Sequence, residues 1–267
     1  MKGKSMRSTS ICLSSLLIPF TLAAATPAFA QDSGPTDPPK AVTVGFTAAV
    51  VSDYRFRGIS QTDKRVAVQG SVTVTHESGL YASIWASNVA GYVIQANNAE
   101  VEIDLIAGFR KTFGGTTIDV AGLYYLYPQS NRPGDRSSGN YFESSVAVTQ
   151  TIGPVSAKAM LAYAPKQKAL RLDQTTGPNR DNVYLAGDLS LAIPNTPVSL
   201  TAHVGHSFGP SWLTIGREYT DYSVGATVTY KMLTFGLSYV DADGALITPS
   251  GRDAAKGGVV ASLTASF

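Results

Sequence analysis

The chain has 267 residues and a formal charge of +2, with 44% hydrophobic residues, 15% charged residues and a single cysteine. This composition excludes intrinsic disorder and a disulfide scaffold. The near-balanced charge excludes bulk electrostatic binding of nucleic acid, so we expect no nucleic-acid partner.

The N-terminus has the three-part layout of a secretory signal peptide. Three basic residues within the first seven precede an apolar core at residues 11–25, and the small-x-small sequence Ala28-Phe29-Ala30 follows. This layout is typical of a segment that is removed after export. We therefore predict a cleaved signal peptide at residues 1–30 and a flexible, proline-containing segment at residues 31–41.

From residue 42 onward the dominant hydrophobic period is two, which is typical of strands with two different faces. In residues 101–105, for example, acidic residues occupy every second position. Each strand has about nine to twelve residues, close to the 9–11 that cross a bilayer as a tilted strand. The pattern predicts twelve strands, near residues 42–52, 65–75, 80–88, 100–111, 116–127, 141–152, 155–164, 182–193, 197–207, 219–230, 233–241 and 257–267.

The connections between these strands alternate strictly between long and short. A long connection at residues 53–64 is followed by a tight turn at residues 77–79, and this order is kept to the last strand, which ends on Phe267. An exported β-sandwich would also have alternating strands, but it predicts neither this strand length nor this order of connections. The pattern predicts an all-β protein: a transmembrane, antiparallel, up-and-down β-barrel of about twelve strands at residues 42–267, in the outer membrane of a Gram-negative cell.

Aromatic residues gather towards the strand ends, which is typical of the girdles that such barrels place at the two membrane interfaces. We assign to these girdles Phe109, Tyr124, Tyr125, Tyr127, Tyr141, Phe142, Tyr163 and Tyr230.

The polar parity of the strands predicts which side chains face the lumen. If the first strand continues past Ser52, Asp53 faces inward while Tyr54 and Phe56 face the lipid. Eight acidic and five basic positions then face inward, and this acidic excess predicts a weak cation preference. The candidates for pore lining and constriction are Asp53, Arg55, Arg57, Glu100, Glu102, Asp104, Asp119, Glu143, Lys158 and Asp188. Two interpretations stay open: the lumen holds a water-filled path, or its charges pair and plug the barrel.

No catalytic constellation is present in the sequence. A nucleophilic hydrolase needs a serine within reach of a histidine, and the chain has three histidines. His203 and His206 are three residues apart on one strand, so they point to opposite faces and do not bind one metal together. We therefore predict no enzymatic activity, no catalytic residue, no metal and no cofactor.

Three blocks of the sequence resemble the TorF family of porins. The run SDYRFRGISQTD at residues 52–63 resembles the hallmark of that family, and GLYASIWASNV at residues 79–89 and EVEIDLIAGFR at residues 100–110 are similar to its second and third blocks. The resemblance implies an outer-membrane β-barrel of porin type. It brings no functional residue with it.

Together these observations predict a porin-like channel for passive diffusion of small hydrophilic solutes or ions, surrounded by outer-membrane lipids. The alternative is a closed outer-membrane barrel with a structural or partner-binding role. A blocked lumen would favour that alternative. The sequence does not define an oligomeric state.

Overall fold

A computed structural model describes residues 41–94, 99–128, 139–173 and 176–267. The predicted signal peptide and all of the predicted flexible segment except residue 41 lie outside these residues. The strands are β1 Val42–Val51, β2 Arg55–Phe56, β3 Ile59–Ser60, β4 Ala67–His76, β5 Leu80–Asn88, β6 Val101–Phe113, β7 Thr116–Leu126, β8 Tyr141–Ile152, β9 Val155–Gln167, β10 Arg180–Ala192, β11 Val198–Phe208, β12 Tyr219–Tyr230, β13 Leu233–Ala242 and β14 Gly258–Ser266. Short 3₁₀ helices cover Gly91–Val93, Lys168–Leu170 and Trp212–Thr214.

All of these strands except β2 and β3 form one closed antiparallel barrel of twelve strands, which confirms the predicted fold. β4 to β14 pair in chain order, and β1 closes the ring by pairing with both β4 and β14. Closure matters in lipid because it leaves no strand edge with unpaired backbone groups. In the described part of the chain, no helix is long and apolar enough to cross a membrane.

The two faces of the wall follow the alternation in the sequence. On β4, the outward Val68 and Val72 are 64% and 42% exposed, whereas the inward Gln69 and Ser71 are buried. The same parity recurs around the barrel, with outward valine and leucine alternating with inward polar or small residues. An apolar outer surface of this kind needs lipid around it, since large exposed apolar surfaces are unfavourable in water.

The aromatic girdle differs in part from the prediction. Tyr124, Phe142 and Tyr163 lie on the outer face and are about 40% exposed, as a girdle requires. Tyr125 and Tyr141 point inward and stack on each other, with ring centroids 4.2 Å apart, and Tyr127 is also buried. Their assignment to the girdle was wrong, because neighbouring residues on a strand face opposite sides and these three take the inward parity.

The connection between β1 and β4 enters the lumen. Val51 and Ala67 are cross-strand neighbours, so the intervening residues leave and re-enter the wall at one place. Residues 53–63, which we call the plug, fold inward around the hairpin of β2 and β3, and all of them are buried or half-buried. The chain reverses at Gly58, whose φ of +78° favours glycine. A side chain at this position would also clash with the wall, because an added Cβ would lie 2.7 Å from Cβ of Asp221.

The predicted outward direction of Tyr54 and Phe56 was therefore wrong. β1 ends at Val51, and Tyr54 is 2% exposed, with its ring edge against Trp85 at 5.5 Å between centroids. Phe56 packs inside the barrel against Tyr125, at 6.0 Å. A packed lumen buries aromatic rings as lipid does, so the alternation alone did not distinguish the two environments.

Candidate functional site: the plug and the lumen layer around it

Arg57 connects the plug to the side of the wall formed by β8 and β10. Its Nη2 donates to Oε2 of Glu143 at 2.6 Å, and its Nη1 donates to Oδ1 of Asn182 at 2.8 Å. The guanidinium lies over the ring of Tyr184, 4.1 Å from the centroid. Both members of the ion pair are about 5% exposed, so this pair is formed away from bulk water.

Tyr54 connects the plug to a neighbouring part of the wall, at β6 and the end of β7. Its hydroxyl donates to one carboxylate oxygen of Glu102 at 3.0 Å, while the hydroxyl of Tyr127 donates to the other at 3.1 Å. Glu102 is on β6 and Glu143 is on β8, so two predicted constriction residues hold the plug from different parts of the wall.

The pair of Asp53 and Arg55 lies within the plug itself. Arg55 Nε donates to Asp53 Oδ2 at 2.6 Å, and its Nη1 donates to the backbone carbonyls of Gly58 and Ala254 at 2.9 and 3.1 Å. Ser60 donates to the other oxygen of Asp53 at 2.5 Å. These bonds fix the hairpin and tie it to the connection between β13 and β14.

A second attachment to that connection is made by Asp63. Thr248 Oγ1 and Ser250 Oγ donate to its Oδ1 at 2.8 and 2.9 Å, and Arg252 Nη1 donates to its Oδ2 at 2.9 Å. Burial disfavours the charge, but these hydrogen bonds and the positive charge of Arg252 outweigh it and hold the pKa of Asp63 below its ordinary value. Residues 248–252 therefore act as a clasp on the end of the plug.

This depressed pKa makes the clasp sensitive to acid. Because the native state favours ionised Asp63, its contribution to stability is complete above the unfolded-state pKa of about 3.9 and is lost as the pH falls through the lower native value. We expect the protection factors of the plug amides, by which folding slows their exchange relative to an unfolded chain at the same pH, to fall below about pH 4 in the wild type. In Asp63→Asn, these protection factors should already be low at pH 6, with a weaker dependence on acid. Equal exchange in the two proteins at pH 6 would contradict the clasp.

Asp104 is unusual among the lumen residues that surround the plug. It lies on β6 two residues after Glu102, points inward with it, and is 0% exposed. Among the described residues, neither of its carboxylate oxygens has a hydrogen-bond partner, and the group that interacts with it most directly is the carboxyl group of Glu102. A buried carboxylate without a donor is destabilising, and a like charge beside it adds to the cost.

Replacing this carboxylate with an amide should stabilise the barrel. Asp104→Asn removes a buried ionisable group and supplies an amide donor for Glu102, so we expect the free energy of unfolding at pH 8 to rise by about 1–3 kcal/mol in a urea titration. Asp119→Asn is the matched control. Its carboxylate accepts from Arg110 at 2.6 Å and from Tyr81 at 2.8 Å, so the same substitution should destabilise. A loss of stability in Asp104→Asn would contradict this interpretation.

The other predicted lumen residues form pairs nearer the short turns. Arg110 and Asp119 are 2.5 Å apart next to the turn between β6 and β7, and Lys158 and Asp188 are 2.8 Å apart on β9 and β10. Glu100 is not part of either group: it precedes β6 and its side chain is exposed. Of the ten predicted candidates, the structure thus brings Arg57, Glu102, Glu143 and Asp104 into one buried layer and keeps the Asp53–Arg55 pair inside the plug.

Sequence reasoning did not assign His203 and Tyr184 to this site. His203 contacts Asp188 through Nδ1 at 2.7 Å and Asp221 through Nε2 at 3.0 Å, while Tyr184 donates to Asp221 at 3.1 Å. The inward parity of β11 was the signal that would have found His203, since it is the direct cross-strand neighbour of Asp188. Within the described ranges, no group of His, Cys, Asp and Glu is arranged to hold a metal ion.

Comparison with solved structures places the fold among outer-membrane porins. The barrel is similar to that of the NanC porin, with a TM-score of 0.52 and 11% identity over 84% of this chain and 99% of that one. It also matches, at TM-scores of 0.39 and 0.37 and 10% identity, the outer-membrane channel DcaP of Acinetobacter baumannii and an anion-selective porin from Comamonas acidovorans. Each match covers 85% of this chain, with 97% and 99% of the other chain. No curated protein matches the sequence. Residues 35–267 match the family described as "Bacterial protein of unknown function (Gcw_chp)".

Proposed function

The chain belongs to the Gcw_chp family of bacterial proteins, whose function is unknown, and we propose that it is an outer-membrane porin for small hydrophilic solutes whose lumen is closed in this conformation by the plug. The fold of the NanC porin and the sequence resemblance to the TorF porins support a channel. We assign no catalytic step to it. The signal-peptide pattern supports export to the outer membrane.

The observation that carries this proposal is that an inserted segment, and not the wall itself, closes the lumen. The wall is a complete ring of twelve strands without the plug, and the lumen is filled at one level by residues 53–63. Eight-stranded barrels are filled by their own wall residues, whereas barrels of 16–18 strands hold an aqueous channel. A ring of twelve strands lies between these, and here an inserted segment supplies much of the filling. A segment held by side-chain contacts and by backbone hydrogen bonds to neighbouring connections, through Ser60 and Gln61, is able to move without breaking the wall.

The proposed ion preference follows from the charges of the lumen. Asp119, Lys158 and Asp188 line the wall towards the short turns, and Glu102, Asp104 and Glu143 lie in the layer around the plug. With Arg57 and Arg110, the partners of Glu143 and Asp119, these positions hold five acidic groups and three basic ones. Rings of one charge select ions of the opposite sign, so we propose a weak preference for cations.

A closed barrel with a structural role is the second candidate, and one observation favours it. The charges of Asp53, Arg55 and Arg57 are all buried, at 6%, 3% and 5% exposure, and each is paired. Such a plug costs free energy to withdraw, because each charge would lose its partner.

Current recordings from refolded protein in a planar bilayer under a KCl gradient test the two candidates. We expect discrete current steps with a reversal potential on the cation side. Steps with an anion-side reversal potential would keep the channel and contradict the ion preference. A silent bilayer would favour the closed barrel, provided that folding is verified by the shift in electrophoretic mobility between unheated and boiled samples.

A further inference from the structure

Glu102 and Asp104 form a pair of carboxyl groups on the wall directly beside the plug. They are two residues apart on β6, point inward, and are 2% and 0% exposed. Their side chains are within hydrogen-bonding reach of each other. Two ionised carboxylates in this position would both be acceptors, so they would repel each other without forming a hydrogen bond.

Two hydroxyl groups beside the pair are directed at Glu102 and leave Asp104 without a donor. Tyr54 donates to one oxygen of Glu102 at 3.0 Å and Tyr127 to the other at 3.1 Å. Asp104 receives no hydrogen bond from any residue that the structure describes. Buried polar groups in native proteins nearly always have a partner, and a proton on Asp104 would turn it into a donor to Glu102. One shared proton therefore completes the hydrogen bonding between the two groups and removes one of two buried charges.

The surroundings of the pair favour this proton. The titratable and charged groups that face the pair from β7 and its end, from β8 and from the plug are Tyr125, Tyr127, Tyr141, Glu143, Tyr54 and Arg57. Arg57 is the one cation among these six, and its guanidinium is committed to Glu143 and Asn182. On β5, the cross-strand neighbour of Asp104 is Trp85, which adds a buried aromatic ring. Two ionised carboxylates here would lack both water and a counter-ion, so one of them keeps its proton, as two carboxyl groups that share a site do.

Loss of the shared proton would force the plug to move. Two adjacent buried negative charges need water, and the wall is a closed ring of paired strands that does not open to admit it. Tyr54 covers Glu102 from the side of the plug, so displacement of the plug is what lets water reach the pair. We propose that Glu102 and Asp104 share one proton that keeps the plug seated, and that loss of this proton in alkaline solution releases the plug. This inference rests on the proposed function, because it names the regulation of that channel.

The dependence of stability on pH measures the shared proton. An aspartic acid in an unfolded chain has lost its proton above about pH 5, so the native wild type binds one proton more than its unfolded state and loses stability as the pH rises. Asp104→Asn lacks this proton. The ratio of the unfolding equilibrium constants, wild type over Asp104→Asn, should therefore rise about tenfold per pH unit between pH 5 and pH 7 in urea titrations of the refolded full-length proteins in detergent. Other groups that titrate on unfolding, such as Asp63 and His203, are common to both proteins and cancel. Glu77→Gln removes an exposed carboxyl group at the turn between β4 and β5 and is the matched control, for which the ratio should stay constant.

Trp85 reports whether the plug is seated. Its ring is 2% exposed and contacts the ring of Tyr54, at 5.5 Å between centroids. The chain has two tryptophans, so Trp212→Phe leaves Trp85 as the sole reporter. In this variant, quenching of the fluorescence by acrylamide, an uncharged probe, should increase several-fold from pH 6 to pH 9, with the barrel verified as folded by its electrophoretic mobility. When Asp104→Asn is added, quenching should stay low at both pH values.

A constant ratio of unfolding constants between pH 5 and pH 7 would overturn the shared proton. Equal protection of Trp85 at pH 6 and pH 9 would overturn its role in holding the plug, as would the same rise in quenching with Asp104→Asn. Because neither measurement needs a current, failure of this inference is distinguishable from failure of the porin proposal. A silent bilayer with pH-dependent quenching would remove only the channel, and a channel whose Trp85 is equally protected at both pH values would remove only the switch.

Discussion

Replacing residues 53–65 with Gly-Ser-Gly should open the barrel and raise its single-channel conductance on the order of tenfold, because it removes the segment that supplies much of the filling in a ring wider than the eight-stranded barrels filled by their own wall residues. The replacement is feasible because Val51 and Ala67 are direct neighbours on antiparallel strands. A turn of two to five residues joins such strands without strain. The carboxylates of Glu102 and Glu143 would then face water, where their charges are hydrated.

A length-matched variant separates the contacts of the plug from its bulk. In this control, residues 53–63 are replaced by eleven glycine and serine residues, which keep the chain length but remove Arg57 and Tyr54. We expect its current to fluctuate between open and closed levels, because a chain without side-chain anchors occupies the lumen only transiently. If the short variant conducts no better than the wild type, residues 53–63 are not the barrier.

The barrel itself was predictable because lipid and lumen impose opposite demands on alternate residues of every strand. The inward placement of Asp119, Lys158 and Asp188 follows from that alternation alone, and the structure gives each an oppositely charged neighbour on an adjacent strand. In these cases the pairing is nearly local, since a shared turn or the register of the ladder brings the partners together.

The plug was not predictable in the same way. Its aromatic residues alternate with charged ones as in a lipid-facing strand, and a local pattern does not distinguish lipid from a packed lumen. The contact that fixes it, between Arg57 and Glu143, joins residues 86 positions apart. Nothing in the spacing of the sequence marks that pair, because it depends on how many strands close the ring.

Breaking this long-range pair should have the largest effect on stability of any single substitution in the layer. Glu143→Ala leaves the guanidinium of Arg57 buried without its carboxylate, and arginine does not shed its proton in proteins. We expect the free energy of unfolding to fall by about 3–5 kcal/mol, measured by urea titration of the refolded barrel in lipid vesicles. Glu218→Ala is the matched control. Glu218 is 55% exposed and 3.9 Å from His206, so its loss should cost only about 0–1 kcal/mol.

The double variant Arg57→Ala/Glu143→Ala decides what the pair contributes. Removing both charges leaves no buried group uncompensated, so the double variant should be more stable than Glu143→Ala, although packing against Tyr184 is lost. If the two single losses are additive, the ion pair does not hold the plug. If the double variant regains stability but conducts more than the wild type in a bilayer, then the pair of Arg57 and Glu143 keeps the lumen closed. The ring of strands then supplies the stability and the buried pair supplies the closure, which is the division of roles that a movable plug requires.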